Sequence, residues 1–553
     1  MKPPSQATQL VALGATAELF HDASGTAYAT MSVAGHVETH PIRSSGFRSW
    51  LAGSYWGTCQ TTPSSQALTD ALGTLEGMAR YDGADHEVHV RLAHADDALY
   101  VDLGDARWQA IAVTRDGWDL VATPPVRFRR PKSLGALPVP VRGGSLDELR
   151  GFLNLDGDDD EYVLLVGFLL AAFGRGPYLI LVLGGEHGSA KTSTSRMLRK
   201  LIDPALIPDR AKPRDDRDLI IAATNGHLVA FDNLSELTDW ISDGLARLAT
   251  GAGFGARALY TDAEEAILYA RKPTIINGIG DLATRPDLLD RAVLVNLPRI
   301  PDERRRSEDD LWPAFDAARP RLLGALFDAL VMALRRERQV TLARTPRMAD
   351  AARWVTAAAP ALGWTNDTFV SAYARNRASG HELALEASSL ASPIRDLIAA
   401  GPWEGTAAAL LDRLAVLAGD AVARRKDWPA APHRLSGQLR RLAPDLRAVG
   451  IEVAFDRHAG HAGRERIIRI SMQRSAGSAG SAGPSTEPPA LPGAPPALPV
   501  IGAEHESGAP DASGAPLHDK SNGLDDSDPE LARDDDPEPQ GWPHLFDLPE
   551  ASA

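Results

Sequence analysis

The chain has 553 residues, 58 Lys and Arg against 73 Asp and Glu, a formal charge of −15, and one cysteine. At roughly 100–200 residues per domain this length suggests three or four domains, and an ordinary globular composition supplies enough apolar material for real cores. The lone thiol, Cys59, excludes an internal disulfide framework and a cysteine-based zinc cluster.

The opening MKPPSQATQL lacks the charged-then-apolar pattern of a signal peptide. The longest clean apolar run, Tyr162 to Gly174, has 13 residues, whereas a membrane-spanning helix needs about 20. A buried helix in a soluble, cytoplasmic protein with no membrane partner is expected. The acidic total argues against nucleic acid only if the charge is evenly spread, and it is not. Residues 475–553 hold 15 acids and 2 bases, while 391–474 hold 14 bases and 9 acids. Only 8 of the 58 bases are lysine, so a single arginine carries little weight.

In chain order, residues 1–142 suggest a mixed, strand-rich accessory domain, with ALYVDL, WQAIAVT and WDLVAT as short strands separated by turn signals such as Asp116-Gly117. A proline-punctuated stretch then makes a boundary. Residues 145–173 have a helical pattern with Ser145 as its cap. YLILVLGG, HLVAFD and PTIING follow as buried strands alternating with helices, which implies a parallel α/β sheet in a core spanning 143–301. Residues 302–390 suggest a helical lid and connector. Residues 391–474 suggest three helices and two strands. Residues 475–553, dominated by Gly, Ser, Pro, Ala and acid, are expected to be disordered.

The most informative stretch is YLILVLGGEHGSAKTS, Tyr178 to Ser193: strand, Gly-rich loop, Lys-Thr, helix. Such a loop turns backbone N–H groups toward one point at the positive end of the following helix, which suits ATP phosphates. Gly185 and Gly188 supply the turn, and Ser189 and Ser193 flank it. Lys191 would reach the β- and γ-phosphates, and Thr192 would hold Mg²⁺. Ala190 stands where the strict pattern has glycine, and it fits only if its backbone keeps a negative φ. Forty residues on, Asp232 ends an apolar strand and is placed to hold the Mg²⁺ shell; a strand-ending cap is the bland alternative. Asn233 follows where many ATPases have a catalytic Glu, which leaves the general base unassigned, with Glu236 as fallback. RALY and AILYA suggest a hairpin with TDAEE at its turn. Asn277 ends the next strand, where it can position the attacking water. Arg291 precedes another strand and would serve a neighbouring subunit's nucleotide, or else pair with Asp287 or Asp290.

This order of parts resembles superfamily 3 helicases of the AAA+ class, most of all the ATPase half of phage and plasmid primase-helicases, over about residues 145–345. The resemblance implies a Walker A role for Lys191 and Thr192, Walker B for Asp232, sensor 1 for Asn277 and the arginine finger for Arg291. Arg257 matches the basic residue that opens the pre-sensor-1 hairpin. It further implies a hexameric ring that moves along single-stranded DNA using ATP. Two departures stand out: Asn233 replaces the second acid of Walker B, and the hairpin turn Thr261–Glu265 is acidic.

The C-terminal domain suggests a winged helix. Leu435, Leu439 and Leu442 would face a core, leaving Arg434, Gln438, Arg440 and Arg441 on the other side to touch DNA. A helical protein-interaction module with codon-driven arginines is the alternative. His458 and His461 suit a turn better than a metal site, because no third ligand is evident. In the N-terminal domain Asp102 and Asp105 lack the Asp-x-Asp spacing of a two-metal primase site. Near the end, Trp542, Leu545 and Phe546 form an apolar island that could dock on a replication partner. The whole suggests an α/β fold with a P-loop AAA+ core and an ATP-dependent DNA helicase or translocase of a mobile element. A nucleotide-switched DNA-binding or loader protein is the alternative.

Overall fold

The computed structural model describes residues 4–157, 159–257, 265–278, 285–460 and 463–472. It is a mixed α/β structure built around a parallel sheet.

Among the described residues the N-terminal region contains two antiparallel-based sheets and a two-stranded parallel pair, Val88–His89 with Arg127–Phe128. In the first, His36–Pro41, Ala27–Val33 and Glu18–His21 pair in antiparallel order, and Ala84–Asp85 joins in parallel. Helices Gln6–Gly14, Ser45–Cys59 and Ser65–Tyr81 belong to the same layer pair. Each starts at a serine, Ser5, Ser44 or Ser64, whose hydroxyl accepts an N–H of the first turn. Leu10, Phe47, Leu51 and Leu75 close a core of their own. The second sheet is a meander of Leu92–Ala95, Ala98–Asp102, Ala110–Val113 and Trp118–Val121. Leu99, Val101, Ile111 and Trp118 share their core with the central unit. Trp118 Nε1 donates to Asp328 Oδ1 at 2.8 Å on the long helix Glu308–Arg336. Physically, then, the second sheet belongs with the central unit although it lies before residue 142.

The central sheet runs Val229–Leu234, Thr274–Gly278, Ile180–Gly184, Ala292–Asn296, all parallel. Its strands are buried on both faces, which accounts for their near-continuous apolar sequences. Helices Asp216–Thr224 and Asp239–Thr250 cover one face. Asp159–Ala171, Lys191–Ile202 and Glu308–Arg336 cover the other. The helical pattern over 145–173 is interrupted. Ser145 caps a short 3-10 turn, Leu146–Gly151, Gly157 adopts φ +80, and the helix proper begins at Asp159. That break carries Asn154 to the site. The hairpin consists of Ala252–Arg257 paired with Glu265–Ala270; most of its turn, with Thr261, lies outside the described residues.

Helices Ala349–Ala358 and Thr368–Glu386 lead into the C-terminal domain. There the order is helix Ala391–Ala399, strand Trp403–Thr406, helices Ala407–Ala423 and Pro432–Ala448, then strands Ile451–Gly460 and Gly463–Met472. The last strand sits between the other two, antiparallel to both. Trp403–Thr406 is one strand more than the sequence suggested. At four residues with one side chain missing (Gly405), it has no alternation long enough to read. Leu435, Leu439 and Leu446 are buried against Ile451, Val453, Ile468 and Ile470.

No helix among the described residues is long and apolar enough to cross a membrane. The strongly acidic segment with Trp542, Leu545 and Phe546 lies outside the described residues.

Candidate nucleotide and nucleic-acid sites

The loop between the strand Ile180–Gly184 and the helix Lys191–Ile202 is held on three sides. Gly185 and Gly188 adopt φ +133 and +76. A Cβ on Gly185 would overlap Leu297 O and lie 2.8 Å from Ser189 Oγ, so only glycine fits. Leu297 N–H donates to Gly184 O at 3.0 Å and Ile300 N–H to Gly188 O at 3.2 Å. Asn154 Nδ2 donates to Ser189 O at 3.2 Å and Pro298 O at 2.5 Å, fastening the loop to the segment after the last sheet strand. Nothing local in the sequence marks Asn154, because its partners are 35 and 144 positions away.

Ala190 departs from expectation. Its φ is +66, a left-handed conformation, immediately before the helix. The tight turn demands the glycine-like geometry, and the alanine adopts it at a cost of roughly 1–2 kcal/mol. Lys191 Nζ donates to Gly185 O at 2.8 Å and Glu186 O at 2.7 Å. Burial holds its pKa below the usual lysine value, and Asp232 opposes that shift. Thr192 and Ser193 lie half-buried in the first turn, and Ser189 is buried.

Thr192 Oγ1 donates to Asp232 Oδ1 at 3.0 Å, joining the helix start to the neighbouring strand. The strand register slips between Phe231 and Leu234, and Asn233 takes φ +55. Asparagine tolerates that conformation better than most residues. The slip aims Asn233 N–H at Asn277 Oδ1, 2.9 Å away. Asn277 is 1% exposed, and its Nδ2 has no partner among the described residues. Since Oδ1 accepts, Nδ2 is a spare buried donor. Glu236 lies 3.7 Å from Lys212 Nζ and is well exposed, so it is turned to a surface partner.

Arg291 is buried rather than displayed. Its Nη1 donates to both the main-chain oxygen and Oδ1 of Asp287 in its own chain, each at 2.5 Å. Arg347 shares Asp287 at 3.3 Å and approaches Asp290 at 3.7 Å, and Arg377 also pairs with Asp290. Arg257 ends the first hairpin strand.

The C-terminal candidates divide. Arg434 and Arg441 are exposed on the helix Pro432–Ala448. Arg440 is exposed too, but its guanidinium lies 4.7 Å from the Phe455 ring. Gln438 is half-buried and donates to Asp427 O at 3.0 Å, so it braces the preceding loop rather than facing outward. Helix periodicity placed it off the Leu seam but could not show the loop covering it. In the N-terminal region, Asp102 is buried and bound by Arg130, with Nε–Oδ2 3.0 Å, a structural pair. Among the described residues no three His, Cys, Asp or Glu side chains group to hold a metal. The donors that fit Mg²⁺ are the Thr192 hydroxyl and the Asp232 carboxylate, a set that a nucleotide's own phosphates would complete.

Comparison with known proteins adds two family matches. Residues 146–382 match the model of the actinomycete integrative conjugative element replication protein. Residues 390–486 match the C-terminal domain of the same replication protein. The chain has no match among curated proteins. Among solved structures, the apo A form of the NrS-1 C-terminal region aligns with TM-score 0.37 and 10% identity, covering 85% of this chain and 99% of that one. A second A-form apo structure, of NrS-1 residues 305–718, aligns with TM-score 0.35 and 10% identity over 84% and 98%. A JCV helicase bound to a phenoxyphenyl acetamide compound aligns with TM-score 0.21 and 9% identity over 40% and 71%. All three TM-scores fall below 0.5.

Proposed function

We propose that this chain is the replication ATPase of an actinomycete integrative conjugative element: a P-loop protein of AAA+ type that uses ATP to move along or open DNA. The family matches over 146–382 and 390–486 support the replication role. The observation that carries the ATPase reading is the Thr192–Asp232 hydrogen bond at the head of a glycine loop whose lysine is adjacent.

On this reading the backbone N–H groups of Gly185 to Lys191 cradle the phosphates. Lys191 exchanges its loop carbonyls for phosphate oxygens. Thr192 and Asp232 would hold Mg²⁺, which draws charge off the β- and γ-phosphates when bound. Asn277, with its spare Nδ2, orients the attacking water. Arg291 reaches a neighbouring subunit's nucleotide in a ring only by giving up Asp287. The helix–strand–helix–helix–strand–strand order of the C-terminal domain supports a winged-helix reading, in which Arg434 and Arg441 would meet DNA phosphate.

A second reading has a specific observation behind it. Asn233 sits in a left-handed conformation where a catalytic acid would stand, and Glu236 faces Lys212. A nucleotide-switched DNA-binding or loader protein would need no such acid. ATPase assays with and without single-stranded DNA, on wild type and Lys191→Ala, test the first reading. DNA-stimulated hydrolysis lost in the variant supports it, and an unchanged rate overturns it. ATP-dependent fork opening separates motor from switch.

A further inference from the structure

An open cleft of about 510 Å³ lies over the tip of the glycine loop, lined by Glu186, His187, Gly188, Arg299 and Arg305. Both arginines come from the segment that the loop itself holds through the Leu297, Ile300 and Asn154 hydrogen bonds. A Cβ placed on Gly188 would lie 3.4 Å from Arg305 Nη2, so that guanidinium stands directly against the loop. Arg305 has one carboxylate partner, Asp302 at 3.1 Å, and both are well exposed, so the pair exchanges readily with a stronger anion. Arg299 is exposed and has no hydrogen-bond or ion-pair partner among the described residues. The one acid in the lining, Glu186, leaves the cleft with a surplus of positive charge.

We propose that Arg299 and Arg305 form a cis clamp for the polyphosphate of the nucleotide bound on the Lys191 loop, doing within one chain what Arg291 cannot do while tied to Asp287. The proposal rests on the nucleotide-binding reading above. Its physical basis is that the loop N–H groups and Lys191 define where the phosphates lie, and the arginine segment is fastened to that same loop. The guanidiniums therefore keep register with the phosphates without a second subunit. Guanidinium groups also suit phosphate geometry, since two N–H bonds can form in parallel.

The test is equilibrium binding of a fluorescent ATP analogue to the full chain, with inorganic tripolyphosphate as competitor. Arg299→Ala/Arg305→Ala should weaken ATP at least tenfold, and tripolyphosphate should compete with the analogue far less well than in wild type. ATP binding within twofold of wild type overturns the clamp. Weaker ATP with unchanged tripolyphosphate competition also overturns it, because the contact would then be to the base or sugar. Lys191→Ala is the separate control: if it binds ATP normally, the loop assignment itself fails. Mixing the double variant with Lys191→Ala chains should restore no hydrolysis. Recovery would place the arginines at a neighbour's nucleotide and overturn the cis assignment.

Discussion

His381 Nδ1 lies 2.6 Å from Oδ1 of Asp445, a carboxylate with no solvent exposure on the helix proposed to face DNA. On its other side His381 Nε2 is 3.7 Å from Asp290, which precedes Arg291 and also binds Arg377. The C-terminal domain is thus tied by charge to the residues that introduce the last central strand.

That relationship sets a pH dependence. The neighbouring carboxylates of Asp290 and Asp445 push His381 up from its ordinary value to about 9, against the effect of burial. A raised folded-state value means the stabilisation is complete below the unfolded value of about 6.5 and is lost as pH rises through about 9. Denaturant midpoints of the wild type should fall between pH values of about 6.5 and 9.5. His381→Gln should be less stable at the lower pH and show a flatter profile. Parallel profiles for the two proteins would remove His381 as the cause. Asp290, held down to about 2, and Asp445, raised by burial, face the imidazole, and Arg377 and Arg347 pair with Asp290.

Ala190 offers a gain rather than a loss. With φ at +66, Ala190→Gly removes a left-handed alanine at the helix start and should stabilise the fold by about 1 kcal/mol. The gain is partly offset by the greater freedom of glycine in the unfolded chain. Thermal melts of the two proteins decide it; a lower melting temperature for the glycine variant would mean the turn is not strained.

These two sites show what was and was not legible in the sequence. The central strands ILVLG, TIING and AVLVN are legible because they are largely buried on both faces, and the glycine loop because Gly185 has no room for a side chain. The backbone angle at Ala190 was not legible, since the need for left-handed geometry comes from the closed loop and not from the alanine. His381 and Asp445 are 64 positions apart on two helices, so no periodic pattern joins them. Asn154 escaped for the same reason, hidden inside what looked like one continuous helix. Arg291 pairs with Asp287, one of the two carboxylates its sequence neighbourhood offers, but its burial comes from packing that no local pattern displays.

Arg91 and Asp203 should behave as a unit. Arg91 is fully buried, with φ +66, and its Nε meets Asp203 Oδ1 at 2.9 Å. Asp203 also accepts from His227 N–H at 2.7 Å and Leu228 N–H at 3.2 Å, binding the second N-terminal sheet to the central unit. Arg91→Met strands a buried carboxylate and should cost about 3–5 kcal/mol. Adding Asp203→Asn should recover part of that loss, because the amide is neutral and its oxygen still accepts the two N–H groups. A double variant whose loss of unfolding free energy equals the sum of the two single losses would show that the pair is not coupled.

Residues on the helix Pro432–Ala448 should separate by role. Arg434 and Arg441 are exposed, so Arg434→Ala/Arg441→Ala should weaken DNA binding across sequences and reduce the salt dependence by about two phosphate contacts. Gln438 is committed to Asp427 O, and Gln438→Ala should instead lower stability by about 1 kcal/mol with DNA affinity nearly unchanged. Arg440 lies between these cases. Its guanidinium covers Phe455, so its removal should cost both a little stability and some affinity. Titrations of double-stranded DNA at several salt concentrations, paired with melts of each variant, distinguish the three. If Gln438→Ala lost affinity as strongly as the arginine pair while melting like wild type, the helix would be meeting DNA with a different face from the one its burial pattern leaves open.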